Sequence, residues 1–381
     1  MKYVDEFRSG VVAQRLAAAI HREAKPGHDY RLMEFCGGHT HAIFRFGVQE
    51  LVPANVKFVH GPGCPVCVLP AGRIEAAIRL CEAHGVILCT YADLMRVPAG
   101  KGKSLWRAKA NGADVRMVYS SRDALEIARS NPGRQVVFFA IGFETTTPPT
   151  AVAIREASEE GLTNFSVFCN HVLTPPAMRH LLQAEGASGN EPAARLDGIL
   201  GPSHVSTIIG SRAYADCAEE FRIPIVIAGF EPLDVMQSTL MLIRQINDGR
   251  HAVENEYSRA VTSEGNRKAQ QLMAEAFKLR PRFEWRGLGV LPESALAIAD
   301  AYADFDAERR FVMPKVESTE TKGCLCPAIL RGLNEPTDCK LFGTACTPET
   351  PLGACMVSSE GACAAYWSYG RQRKPAEVQR A

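Results

Sequence analysis

Thirteen cysteines stand in a chain of 381 residues, and their spacing is the first feature that could do chemistry. Six of them fall between Cys324 and Cys363, in strings that read Gly-Cys324-Leu-Cys326-Pro, Asp-Cys339-Lys, Ala-Cys346-Thr-Pro, Ala-Cys355-Met and Ala-Cys363-Ala. Four thiolates are the ligand set of a 4Fe–4S cluster or of structural zinc. Zinc sites favour two short Cys-x-x-Cys knuckles, which this segment lacks. Spread single cysteines beside Gly and Pro suit loops wrapped around a larger cubane. Six candidates compete for four places. Cys324, Cys339, Cys346 and Cys363 are the expected cofactor-binding and metal-ligating set, with Cys326 and Cys355 as spares or supporting thiols. Six unrelated buried thiols are the bland alternative.

Two more cysteine strings lie near the amino terminus. Phe35-Cys36-Gly-Gly-His39-Thr40-His41 closes the first expected strand. Its glycines permit a tight turn, and the threonine can cap a helix. Cys36 would then sit at a helix amino terminus, where the dipole favours thiolate. His39 would be near enough to serve as base, orienting donor or ligand. A buried thiol beside solvent-facing histidines is the competing reading. His60-Gly-Pro-Gly-Cys64-Pro-Val-Cys67 closes the second expected strand. A Cys-x-x-Cys pair on a strand-to-helix turn is a thioredoxin-type dithiol arrangement, though it could equally supply two metal ligands. One pair cannot fill a tetrahedral site, so the redox role is preferred. Beside a cluster, the pair suggests electrons passing from cluster to disulfide.

Two strings without cysteine end strands in the same way. In Gly142-Phe-Glu144-Thr145-Thr146-Thr147 the hydroxyls could bind an anion or a cyano group, and Glu144 could relay protons. Helix capping explains the threonines at least as well. In Gly201-Pro-Ser203-His204, His204 either faces the same cleft or is a satisfied core histidine. Cys81, Cys89, Cys169 and Cys217 lie inside apolar runs and read as buried thiols.

These strings need a scaffold that ends many strands at one edge. Short β-type runs are expected at 31–36, 56–60, 86–91, 115–119, 136–141, 165–169, 196–200 and 223–228. Helix-length stretches at 9–24, 71–84, 121–130, 150–160, 176–185 and 211–220 surround them, a pattern of βαβ units in parallel sheets. Phe35-Cys36 is echoed by Phe168-Cys169 and Gly61-Pro62 by Gly201-Pro202, which reads as a diverged duplication. The expected fold class is α/β, with two diverged Rossmann-like domains at 30–133 and 134–235. A helical, Cys-rich iron–sulfur domain is expected from 1–29 and 236–381, including helical periodicity over 236–279 and a helix at 292–303. A Gly-, Pro- and Cys-rich segment with little core needs a staple, and the polar tail from Arg371 is expected to fray.

Composition narrows the function. With 43 basic and 42 acidic residues the formal charge is +1, which offers no footprint for nucleic acid. Apolar runs such as Val136 to Ile141 are far too short for a bilayer. The opening Met-Lys-Tyr-Val-Asp-Glu-Phe has no apolar core of a signal peptide, so a cytoplasmic location is expected. There, structural disulfides are rare and clustered cysteines point to metal or redox chemistry.

Taken together, Cys36-Gly-Gly-His-Thr-His41, Gly61-Pro-Gly-Cys-Pro-Val-Cys67, Gly142-Phe-Glu-Thr-Thr146, the Cys324, Cys339, Cys346, Cys363 pattern and Cys355-Met-Val-Ser-Ser-Glu-Gly-Ala-Cys363 resemble the HypD family of NiFe-hydrogenase maturation factors. The resemblance runs from about residue 8 to residue 370. It implies a redox-active scaffold, rather than a turnover enzyme, for building the Fe(CN)2CO group of the hydrogenase. The implied partners are a small HypC-type chaperone and a HypE-type cyanide donor, with the chain monomeric when alone. Cys36 would be this chain's iron ligand, with His39 beside it, and Cys64 and Cys67 the redox pair. The four carboxy-terminal cysteines would hold a 4Fe–4S cluster. The alternative is a free-standing iron–sulfur dithiol oxidoreductase resembling ferredoxin–thioredoxin reductase.

Overall fold

The computed structural model describes residues 5–100, 102–186, 194–313, 316 and 320–370, so the tail from Arg371 lies outside the described residues. Nine strands build two parallel sheets. In chain order they are β1 (Tyr30–Glu34), β2 (Val56–His60), β3 (Ile87–Thr90), β4 (Val115–Met117) and β5 (Val136–Gly142). There follow β6 (Phe165–His171), β7 (Gly198–Gly201), β8 (Ile225–Ile227) and β9 (Val253–Asn255). The eight expected runs become β1 to β8. In β5 (VVFFAIG) and β6 (FSVFCNH) every residue is buried, as a sheet covered by helices on both faces requires.

The strands are shared between the sheets in an order that the sequence does not announce. The first sheet runs β2-β1-β7-β8-β9, and the second runs β4-β3-β5-β6. The register Leu32↔Gly198 joins β1 to β7, across the whole second sheet in sequence. The expected division between 133 and 134 therefore falls between β4 and β5, two members of one sheet. The second sheet is an insertion between β2 and β7, not the second half of a tandem duplication. Of the two echoes, Gly61-Pro62 and Gly201-Pro202 stand at the ends of β2 and β7, which flank β1 in one sheet, whereas Phe35-Cys36 follows β1 and Phe168-Cys169 lies inside β6 of the other sheet.

Helices close both faces. Ser120 and Asp123 form a reciprocal capping box at the start of Ser121–Ser130. Ala71–His84 stops at Gly85, whose φ of 58° suits a residue without Cβ. The amino-terminal helix Gly10–Glu23 packs on Pro232–Asn247, the helix after β8. Together with Tyr30, Leu32 and Ile43 they enclose a core of Ile20, Val235 and Leu242.

The remainder departs from the expected helical domain. Helix Arg267–Ala276 leads into two antiparallel pairs, β10 (Phe277–Leu279) with β13 (Leu296–Ile298) and β11 (Arg282–Trp285) with β12 (Gly289–Pro292). The expected helix at 292–303 is β13 followed by a 3-10 turn, Asp300–Phe305, because Leu296 and Ile298 alternate inward against Phe277. Residues 320–370 are held mostly by loops and single turns, including Cys326–Ile329, Ala354–Met356 and Ala362–Ala365. Among the described residues no helix is long and apolar enough to cross a membrane.

Candidate functional site

Parallel strands present their carboxyl ends at one edge, where open α/β sheets bind ligands. Cys36 follows β1 there and is the extended residue before helix Gly37–Phe46. The loop after β2 crosses directly over it. The Gly37 N–H donates to the Gly63 carbonyl at 3.1 Å. A Cβ on Gly63 would lie 2.5 Å from the Cys36 Cα, so only glycine lets this loop pass. The next residue is Cys64. It caps the short helix Pro65–Val68, with its Sγ accepting the Cys67 N–H at 3.2 Å. Cys64 and Cys67 are disulfide-bonded, with Cα atoms 5.2 Å apart.

Cys36 itself is not a low-pKa thiol. Burial first, then the Glu360 carboxylate, push it up to about 12, with Glu34 adding in the same direction. The backbone N–H groups of Gly38 and His204 oppose this and lose. The expected helix-start effect is present, but desolvation and two carboxylates outweigh it. Glu34 lies beneath, 1 % exposed. Its Oε2 accepts the Cys36 N–H at 3.3 Å, and its Oε1 bonds His60 Nδ1 at 2.9 Å and the Thr40 hydroxyl. Burial raises the Glu34 pKa, and the bond to His60 opposes the rise. Glu360 arrives from the cysteine-rich segment: a Cβ on Gly37 would meet the Glu360 Cβ at 2.4 Å. Sequence reasoning missed both carboxylates. For Glu34 the signal was a charged residue at a buried position of the Leu-Met-Glu-Phe-Cys strand.

His39 is fully buried, and its Nε2 faces the Ser203 Oγ at 3.0 Å and the Ala228 carbonyl at 3.1 Å. A nitrogen that faces a carbonyl must carry the proton, which leaves Nδ1 as the lone-pair nitrogen. That Nδ1 has no partner among the described residues. Burial lowers the His39 pKa to about 4, so the ring is neutral. His204 is exposed, its ring tilted 53° to that of Phe230 with centroids 4.2 Å apart, and it lines a 320 Å³ cavity with His41, Arg45 and Glu360. A second cavity, 580 Å³, lies between Val66 of the disulfide helix, Asp93, Ser120 and Thr145. Ser359 and Glu360 line both cavities and so divide them.

Glu144 is not poised toward solvent. Its two oxygens receive the Thr174 N–H at 2.8 Å and the Thr174 hydroxyl at 3.0 Å, and burial raises its pKa to about 7. The hydroxyls of Thr146 and Thr147 donate to the Phe143 carbonyl at 3.1 and 3.0 Å, and Thr146 at the N-cap accepts no N–H of the helix, so the expected capping bond is replaced by these back-bonds. Thr145 alone of the three threonines joins Glu360 in the larger cavity's wall without such a bond to Phe143. Cys81, Cys89, Cys169 and Cys217 are all buried free thiols, as expected.

The six carboxy-terminal cysteines gather at one place. Cys326 is in hydrogen-bonding contact with Cys324, Cys355 and Cys363, and its pKa is pushed well up. The same contact holds Cys324 down at about 7. Cys346 Sγ accepts the Leu352 N–H at 3.3 Å and feels both Cys324 and Cys339. Gly353 forms the floor: a Cβ there would sit 2.5 Å from the Cys326 Sγ and 2.6 Å from the Cys324 Sγ. Among the described residues no three His, Cys, Asp or Glu side chains are arranged to hold a single metal ion. The donor set is instead wholly sulfur, six thiols deep, a set that soft metal centres such as zinc or an iron–sulfur cluster take. The turn Ala354–Met356, which carries Cys355, packs against the disulfide helix Pro65–Val68. The spare thiols Cys326 and Cys355 thus lie at the centre of the group.

A family model described as the hydrogenase formation hypA family, HypD, matches residues 11–370. The chain is 62% identical to hydrogenase maturation factor HypD2 of Bradyrhizobium diazoefficiens, over 98% of each chain. It is 61% identical to hydrogenase maturation factor HypD of Azotobacter vinelandii, again over 98% of each. With the HypD of Escherichia coli it shares 45% identity over 99% of this chain and 100% of that one. The chain belongs to the HypD family of hydrogenase maturation factors.

Proposed function

We propose that this chain is the scaffold on which the Fe(CN)2CO group of NiFe-hydrogenase is assembled. Iron is its cargo, held at Cys36 together with a small HypC-type chaperone, while a HypE-type partner delivers cyanide. One observation carries the reading: the Gly63 backbone lies against Cys36, so the turn that carries the Cys64–Cys67 disulfide crosses the candidate iron ligand. Two cavities of 320 and 580 Å³, divided at Glu360, leave room for partner residues on either side of that turn. Glu34 fixes the Cys36 main chain, and neutral His39 and exposed His204 flank it.

Cys324, Cys339, Cys346 and Cys363 would hold a 4Fe–4S cluster, with Cys326 and Cys355 packed among them. When bound, such a group supplies single electrons. The chain's own part is to bury the thiols, to exclude water and to keep the disulfide helix against the Cys355 turn. We place the protein in the cytoplasm and read it as a redox-active scaffold rather than a turnover enzyme. The packing of that helix on that turn also favours a second reading, a dithiol oxidoreductase similar to ferredoxin–thioredoxin reductase.

Infrared spectroscopy of the protein co-purified with its small partner separates the two. The scaffold shows cyanide and carbonyl stretches that vanish in Cys36→Ala. Wild-type protein without such stretches, together with a Cys36→Ala variant that still reduces disulfides, would establish the reductase instead.

A further inference from the structure

Arg286 stands between the two sulfur-bearing elements. It follows β11 in the turn of the β11–β12 hairpin, which is locked by buried Trp285 donating its Nε1–H to Ser294 Oγ at 3.0 Å. The Arg286 N–H donates to the Val68 carbonyl at 2.7 Å, and its Nε–H donates to the Leu69 carbonyl at 2.9 Å. Val68 is the last residue of the disulfide helix and Leu69 its cap, so Arg286 takes up the carbonyls that this helix leaves open. On the other side Gly287 presses on the cysteine-rich segment. With φ +84° and only 3.0 Å between a would-be Cβ and Pro327 Cα, it sits against the helix that begins at Cys326.

Arg286 is 3 % exposed. Nη1 donates to Glu320 Oε2 at 3.3 Å, and Nη2 is buried with no partner among the described residues. A buried charged donor left unpaired is costly, and each such group calls for an explanation. The Arg286 charge reaches Cys324 and Cys355 of that segment.

We propose that Arg286 is a positioning residue that ties the disulfide helix to the cysteine-rich segment and donates its free Nη2–H to a sulfur of the centre held there, setting that centre's reduction potential. The inference rests on the reading of the cysteine-rich segment as a cluster site. A fixed cation beside a sulfur centre stabilises the more negative, reduced form, and hydrogen bonds to the sulfurs act in the same direction. No residue of the Cys36 turn is needed for it.

The test is an EPR-monitored redox titration of the full-length protein, purified without oxygen, with dithionite as reductant. Arg286→Gln is expected to keep its iron and to lower the reduced-to-oxidised ratio at a given potential about tenfold, which is about 59 mV for a one-electron couple. Arg286→Lys, which keeps the charge but not the planar fork, is expected to shift less. It should also lose a strongly coupled exchangeable proton seen by pulsed EPR in the wild type. An iron-loaded Arg286→Gln with the wild-type potential overturns the proposal. If that variant takes up no iron, Arg286→Lys decides: wild-type potential and wild-type proton coupling overturn it. Wild-type protein without a reducible cluster would instead sink the cluster reading itself, and this inference with it.

Discussion

Glu144 and His171 carry opposite pH signatures within the second sheet, and both follow from burial. Burial lowers His171 from 6.5 to about 4. Its folded pKa lies below its unfolded one, so its contribution is complete above pH 6.5 and is lost as pH falls toward 4. Glu144 runs the other way. Its pKa rises from 4.5 to about 7, so the stability it contributes is present below 4.5 and is lost as pH rises through 7. The loss is on the order of 3 kcal/mol. Glu144→Gln can still accept from Thr174 but cannot ionise. Denaturant midpoints measured from pH 4.5 to 7 should therefore decline less steeply in the variant than in the wild type. Equal slopes would remove Glu144 from the account. Single residues were legible in the sequence where type and neighbours suffice. Cys36, Cys64 and Cys67 declare themselves by Gly- and Pro-rich turns at strand ends. Glu34 and Glu360 do not, because their importance lies in contacts with Cys36 and Gly37 that only the folded chain creates. The thiol of Cys36 was misjudged for the same reason, since those carboxylates and its burial set its pKa.

At the scale of elements, glycine decides how closely sulfur-bearing turns approach. Gly353 is the clearest case, with two cysteine sulfurs within 2.6 Å of where a Cβ would be. Gly353→Ala must push Cys324 and Cys326 aside. The expected outcome is a variant with unchanged circular dichroism whose iron falls well below about four per chain. Full iron by colorimetric assay would show that Gly353 is not the floor of that site. Strand positions were well marked, because β-branched and aromatic runs bounded by Gly, Pro and Asn punctuate the chain. The miss at β9 has a plain cause. Val253-Glu-Asn255 is a three-residue, half-buried edge strand, too short and polar to interrupt a helical pattern. The Leu296–Ile298 strand was hidden in an alanine-rich run, and its pairing with Phe277–Leu279 overrode that local preference.

For the whole molecule, the strands could be read but their partners could not. Pairing is decided by contacts made only in the folded sheet, so nothing within Tyr30–Glu34 marks β7 as its neighbour. The consequence is physical. One continuous core joins Met33, Val59 and Ile199 of the first sheet to Leu88, Val137 and Phe139 of the second, and to Trp285, Ile329 and Cys355 beyond them. Calorimetry of the oxidised, metal-free protein should give one transition, with calorimetric and van't Hoff enthalpies in agreement. Two resolved transitions would mean that the inserted sheet is an independent unit. The interleaved order also bears on synthesis. Cys36 leaves the ribosome long before Ser203 and Ala228, which seat His39, and before Glu360, which covers Gly37. A nascent chain therefore exposes this thiol on a sheet that has no central strand yet. Translation beyond Glu360 is what completes the pocket, so a metal captured earlier would sit on an open, half-built surface from which it can escape.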